Sequence, residues 1–168
     1  EAEKLALELL EIGDTTQQPI FKSIAAQRLS DIELNKSQLA KSRDWLDQAE
    51  KWANQAHWIR GLAWMLYRKG KLLSLQHVPG EAEESFLQSL EMASSWKDLR
   101  MIAFNKQALA EVYLSTGRQS LARQFVKEAR DIFERAGMAK EITRTENLLR
   151  QLQTDDPLLR ELLANEEA

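Results

Sequence analysis

The apolar residues of this chain recur at three- and four-residue spacing along almost its whole length. One segment places seven apolar side chains on a single stripe: Leu121, Ala122, Phe125, Val126, Ala129, Ile132 and Phe133. This spacing matches the 3.6-residue turn of an α-helix. No stretch alternates apolar and polar residues for long enough to indicate a strand. The pattern therefore predicts an all-α protein.

Turn-forming residues divide the helical pattern at intervals. Glycine or proline interrupts the pattern at positions 13, 19, 79, 80, 117, 137 and 157, whereas Gly61 and Gly70 lie within a helical pattern. Between them we predict nine helices, and the short connections make consecutive helices antiparallel neighbours. The predicted ranges are 1–12, 19–34, 38–56, 59–76, 79–95, 99–116, 118–136, 139–153 and 157–165.

Small and large residues recur along the chain in steps of 40. Within 103–136 they are Leu109, Ala110, Tyr113, Gly117, Ala122, Val126 and Ala129. Forty positions earlier the matching residues are Gly70, Leu73, Ala82, Phe86 and Ser89. Another forty positions earlier they are Ser30, Glu33, Ser42, Leu46 and Ala49, where Glu33 is a poor match for a large apolar residue.

This pattern resembles the tetratricopeptide repeat (TPR), whose signature is W-x2-L-G-x2-Y followed by A-x3-F. Lys106 and Glu134 stand where that signature has Trp and Pro. The 40-residue step, and the run from Ala129 to Gly137, resemble the longer TPR variant of bacterial STAND-type and LuxR-like regulators and related adaptors. The resemblance implies a right-handed superhelix of antiparallel helix hairpins with one concave face.

The resemblance also implies a domain organisation. Residues 1–156 would form the TPR-like array, and residues 157–168 a C-terminal capping helix and tail. The apolar stripe of that last helix could instead dock into the groove or into another chain. The parts of the array are a half repeat at 1–12, repeats near 23–56, 63–96 and 103–136, and a final first helix at 139–153. We expect its small residues at helix crossings, where larger side chains would push the backbones apart.

In this family a ligand lies along the concave face, which the first helix of each repeat lines. The resemblance implies that three positions of each first helix face the ligand, and Ile24 and Gln151 lie at the two ends of this set. Aromatic residues with polar neighbours are typical of surfaces that bind a peptide or a helix. The sequence leaves open whether the aromatic rings are exposed or packed between helices. The implied partner-binding residues are Gln27, Asp31, Trp64, Tyr67, Lys71, Phe104, Gln107, Glu111, Arg144 and Asn147.

Composition narrows the function classes. The 168 residues include 23 Lys and Arg, 26 Asp and Glu and no Cys. A formal net charge of -3 argues against nucleic acid as a partner, and no apolar run is long enough to span a membrane. The lack of Cys excludes disulfides and fits a cytoplasmic location. His57 and His77 lack metal-ligand spacing, and phosphate-loop and nucleophile motifs are absent, so we expect no catalytic residue, metal or cofactor.

These observations predict a protein–protein interaction module, a scaffold or regulatory segment of a larger cytoplasmic signalling protein. The chain starts at Glu1 without an initiator Met, which fits a fragment. One alternative is self-association, either through the C-terminal helix or through the N-terminal half repeat. That half repeat carries Leu5, Leu7, Leu9, Leu10 and Ile12. A second alternative is a phosphatase-type helical-repeat regulator, in which a Gln or Glu acts on a partner's phosphoryl group.

Overall fold

The computed structural model describes residues 1–154, and these residues form eight α-helices with no strand among them. The predicted all-α class is therefore confirmed, and the eight helices match the first eight of the nine predicted. The ninth predicted helix, 157–165, lies outside the described residues, as does the rest of the proposed C-terminal cap. The helices are α1 (Ala2–Thr15), α2 (Pro19–Asn35), α3 (Leu39–Gln55), α4 (Ile59–Leu75), α5 (Pro79–Ser95), α6 (Leu99–Ser115), α7 (Gln119–Arg135) and α8 (Ala139–Thr154).

The helices follow one another at a constant spacing of 20 residues from Pro19 onwards. Each of the first seven is followed, two residues after its end, by a residue with φ between 48° and 75°. After six of these seven residues the next backbone N–H bonds a carbonyl in the last turn of the helix, as from Trp58 N to Ala53 O at 2.9 Å. This ending reverses the chain within three residues. The left-handed residues are Gln17, Ser37, His57, His77, Lys97, Gly117 and Gly137.

The chain divides into two compact units, Glu1–Ala93 and Ser94–Ala168. In the first unit α1 packs on α2, α2 on α3 and α3 on α4, and α2 also contacts α4. In the second unit α6 packs on α7 and α7 on α8, and α6 also contacts α8. Each unit is thus built from consecutive helix hairpins in which alternate helices touch. This packing brings side chains of α2 and α4, and those of α6 and α8, onto common surfaces.

The small residues that the repeat pattern assigns to helix crossings lie inside the fold. Gly70, Ala82, Ala110 and Ala122 are all buried. A Cβ atom added to Gly70 would lie 2.6 Å from Cε1 of Phe86, so α4 meets the large side chain of α5 at this glycine. The small residues therefore permit the helix hairpins to close.

A second pair of repeat positions brings a serine and an alanine together in two helix hairpins, with the two residue types exchanged between the helices. Ser23 Oγ donates to Ala49 O at 2.9 Å, and 40 residues later Ser89 Oγ donates to Ala63 O at 2.9 Å. In the second unit the matching pair, Ala103 and Ala129, is also fully buried. Because each buried hydroxyl has a carbonyl acceptor on the facing helix, serine fits as well as alanine. The 40-residue period of the sequence is therefore a period of helix packing.

Candidate functional site

The first unit gathers polar side chains of α2 and α4 around Arg68. The Arg68 Nε lies 3.1 Å from both carboxylate oxygens of Asp31, and Nη2 lies 2.9 Å from Oδ2. Arg68 Nη1 donates to Gln27 Oε1 at 3.1 Å, and Gln27 Nε2 donates to Ser23 Oγ at 3.2 Å. Arg68 is only 9% exposed. A bidentate pair between this buried guanidinium and the partly exposed Asp31 carboxylate restricts the position of α2 relative to α4.

Arg68 was not among the residues predicted from the sequence. It follows Tyr67, which the repeat pattern assigns to the concave face, and it lies 37 residues from its partner Asp31. The signal in the sequence was that Arg68 shares a helix face with the apolar residues Met65 and Leu72, because an Arg on an apolar face needs an acceptor when it is buried. Nothing local in the sequence identifies Asp31 as that acceptor.

Aromatic side chains of α4 lie beside this ion pair. The Trp64 and Tyr67 rings are 5.8 Å apart and perpendicular, and the Arg68 guanidinium lies 5.8 Å from the Trp64 ring. Lys71 Nζ lies 5.9 Å from the Tyr67 ring, whose centroid is 5.7 Å from that of Phe86. Trp64, Tyr67 and Lys71 are all partly exposed. The two rings are therefore packed against neighbours and also partly exposed, which is intermediate between the two arrangements that the sequence left open.

The second unit places the corresponding residues of α6 and α8 differently. Gln107 Nε2 donates to Glu111 Oε1 at 3.2 Å, and Arg144 Nη2 lies 2.8 Å from the same oxygen. Phe104 is partly exposed, and its ring centroid lies 5.4 Å from that of Phe133 on α7. Asn147 Oδ1 accepts from Arg150 Nη1 at 3.1 Å and does not join the Glu111 cluster in the bonds described.

Burial separates the predicted residues into two groups. Gln27 and Gln107, which share one position of the repeat, are 4% and 5% exposed. Arg144, Asn147 and Gln151 are exposed on α8, and Ile24 is partly buried on α2. Each glutamine is therefore buried within its own unit, whereas the charged and aromatic residues near it are more exposed.

The first unit also has a cavity on another side of α4, which no sequence pattern predicted. Its volume is about 490 Å³, and side chains of α3, α4 and α5 line it. Its apolar lining comes from Leu46, Leu62, Met65, Leu66, Leu72, Leu73 and Met92. The charged lining residues are Arg43, Asp47, Glu50, Lys69 and Glu81. The cavity is separate in its lining from the Arg68 network, since the two share no residue.

Residues 1–154 can also be described with respect to metal sites and membrane spans. Within this range no group of three or more His, Cys, Asp or Glu side chains is placed to hold a metal ion. None of the helices in the same range has the length and apolarity needed to cross a membrane. No family model matches this chain, and no curated protein matches it. The site therefore rests on its own geometry.

Proposed function

We propose that this chain is a TPR-type protein-interaction module that binds a peptide or a helix of another protein along the surfaces of its first helices. The observation that carries the proposal is the pairing of partly exposed rings, Trp64 and Tyr67, with the fixed Arg68–Asp31 ion pair beside them. We further propose that the module serves as a scaffold or regulatory segment of a larger cytoplasmic signalling protein, without catalysis.

The geometry supports a binding role because it supplies both anchors and orientation. Aromatic rings dominate the energetics of many interfaces, since they bury a large area and lose little conformational entropy on binding. Packing against Phe86 already restricts the Tyr67 ring, and the bidentate ion pair with Asp31 restricts the buried Arg68. A surface whose side chains are held in advance loses less entropy when a partner docks.

The proposal is tested with peptides selected from a random displayed library on the full chain. The affinities of the selected peptides are then measured by fluorescence anisotropy for Trp64→Ala, Tyr67→Ala and the control Leu87→Ala. Leu87 lies on α5 in the same unit and is 42% exposed, so its truncation removes a similar apolar surface elsewhere. We expect Trp64→Ala or Tyr67→Ala to weaken binding about tenfold or more, and Leu87→Ala to have little effect. Failure to select any peptide, or equal loss in all three variants, would refute the proposal.

A second candidate function, self-association, is favoured by the exposed apolar side chains of α1. Leu5 is 56% exposed, and Leu7 and Ile12 are each 48% exposed. Leu5 and Ile12 are seven residues apart, so they lie on one face of the helix. Exposed apolar surface of this kind often marks an interface. Sedimentation equilibrium tests this candidate: a concentration-dependent dimer that Leu5→Glu abolishes would support it, and a monomer at high concentration would refute it.

A further inference from the structure

The two units carry equivalent pairs of hydrogen-bond acceptors. Gln27 and Asp31 lie one turn apart on α2, and Gln107 and Glu111 lie one turn apart on α6, exactly two repeat steps later in sequence. Each pair combines a buried side-chain amide with a partly exposed carboxylate. Since the neighbouring helices, α4 and α8, also correspond, the two units can be compared position by position.

In the first unit a guanidinium fills this acceptor pair. Arg68 bonds both oxygens of Asp31 and also the amide oxygen of Gln27, and only 10% of its side chain is exposed. A planar guanidinium suits this arrangement because its N–H groups point in several fixed directions and can reach two acceptors together. The first unit thus shows what a filled site of this type contains.

In the second unit the corresponding cation is missing. The residue of α8 that matches Arg68 is Leu148, which has no donor. Arg144, one turn earlier, bonds Glu111 alone among the side chains that the structure describes, and 60% of its side chain is exposed. Gln107 Oε1 is buried and accepts no hydrogen bond from any of residues 1–154. A buried acceptor without a donor is rare in folded proteins and needs an explanation.

We propose that Gln107 and Glu111 form a subsite for an arginine side chain of the partner polypeptide. This inference rests on the proposed function, because the arginine belongs to the bound peptide. The incoming guanidinium displaces the exposed Arg144 from Glu111 and donates to Gln107 Oε1, as Arg68 does at Gln27. Displacement is feasible because exposed ion pairs contribute little stability. A lysine fits less well, since its single ammonium lacks the planar fork that spans two acceptors.

The subsite is tested on the full chain by NMR titration with N-acetyl-arginine amide. The neutral isostere N-acetyl-citrulline amide and N-acetyl-lysine amide serve as comparison probes. We expect the arginine probe to shift the Gln107 side-chain amide signals. The citrulline probe should bind at least tenfold more weakly than the arginine probe, and the affinity of the lysine probe should lie between the two. Equal responses to arginine and citrulline, or shifts that bypass Gln107 and Glu111, would overturn the proposal.

Variants separate a binding role from a structural one. Gln107→Met removes the acceptor with nearly the same side-chain length and should abolish the arginine response while raising the melting temperature. Glu111→Gln should weaken the response as well. Gln124→Met on α7 serves as the control, since Gln124 is exposed and donates to Glu128 Oε1, away from Gln107. An arginine response that persists in Gln107→Met would contradict the subsite, whatever the melting temperature.

The outcome also distinguishes this inference from the proposed function. Selected peptides that need Trp64 but tolerate replacement of every arginine by citrulline would overturn the subsite and leave the interaction module intact. Conversely, an arginine response at Gln107 without any peptide that depends on Trp64 or Tyr67 would keep the subsite and count against the proposed binding surface.

Discussion

Gly70→Ala tests whether close packing of α4 against α5 depends on the absence of a side chain at this position. A Cβ atom there would lie 2.6 Å from Cε1 of Phe86 and 2.8 Å from both Cδ1 and Cζ. Carbon atoms in contact normally stand about 3.5–4.0 Å apart. The ring would have to retreat by about 1 Å, but Phe86 is only 1% exposed and also packs against Tyr67.

Two effects of opposite sign determine how much Gly70→Ala changes the free energy of unfolding. Alanine favours a helix interior over glycine by about 1 kcal/mol. Overpacking a well-filled core costs about 1–3 kcal/mol, and the buried position of Phe86 places this case in the upper half of that range. We therefore expect Gly70→Ala to lower the free energy of unfolding by about 1–2 kcal/mol. For a chain of this length that corresponds to a fall in melting temperature of roughly 2–8 °C.

The assay is urea unfolding followed by circular dichroism, with Gly80→Ala as the matched control. Gly80 lies in the first turn of α5, and an added Cβ there would meet nothing within 4 Å. We expect Gly80→Ala to be neutral or slightly stabilising. The double variant Gly70→Ala with Phe86→Leu should lose less stability than the two single changes added together, because the smaller side chain relieves the overlap. Equal stability of Gly70→Ala and Gly80→Ala would refute the reasoning.

Three further predictions concern isolated positions. Glu33→Leu should raise the free energy of unfolding by about 1–2 kcal/mol. Within residues 1–154 the buried Oε2 of Glu33 has no hydrogen-bond partner, and the bond that Oε1 accepts from the exposed Lys36 Nζ at 3.0 Å contributes little. Thermal melts that show destabilisation would contradict this. His57→Gly should raise the free energy of unfolding by about 0.5–1 kcal/mol, and Gly117→Ala should lower it by a similar amount, because both positions have positive φ. Chemical unfolding that shows no change in either variant would contradict this. Hydrogen bonds from Lys106, chiefly, and Gln124 hold the pKa of Glu128 below its ordinary value. Its contribution to stability is therefore present above that value and is lost as the pH falls through the lower, folded-state pKa. The stability gap between wild type and Glu128→Gln should narrow on acidification, and a constant gap between pH 7 and pH 3 would contradict this.

The repeat pattern anticipated the helix positions and most of the crossings, because both depend on features that are local or periodic. Apolar spacing predicts which face of a helix is buried, and a small residue in the middle of that face permits close approach whatever the partner helix is. Gly70 and Ala110 were identified in this way, and both are buried. Glu33 already stood out in the sequence as a polar residue at the position that Leu73 and Tyr113 occupy in later repeats. The structure places all three side chains in the interior, so Glu33 is a charged residue at a buried position.

The helix ends were located to within a few residues although most of them lack the expected glycine. Five of the seven left-handed residues are not glycine, including His57 and Lys97. The sequence does not mark these positions, because their conformation is imposed by the backbone hydrogen bonds of the turn and by packing of the flanking helices.

The amino-acid sequence by itself determined the helical class, the 40-residue packing period and the small residues at the crossings, since these follow from side-chain size and spacing along one helix. Only the tertiary structure decided which polar groups meet. The pairing of Arg68 with Asp31 and the unpaired oxygen of Gln107 depend on how alternate helices lie side by side. A shift of one residue around a helix rotates a side chain by about 100°, so the spacing pattern cannot say whether Arg68 or Tyr67 reaches the neighbouring helix.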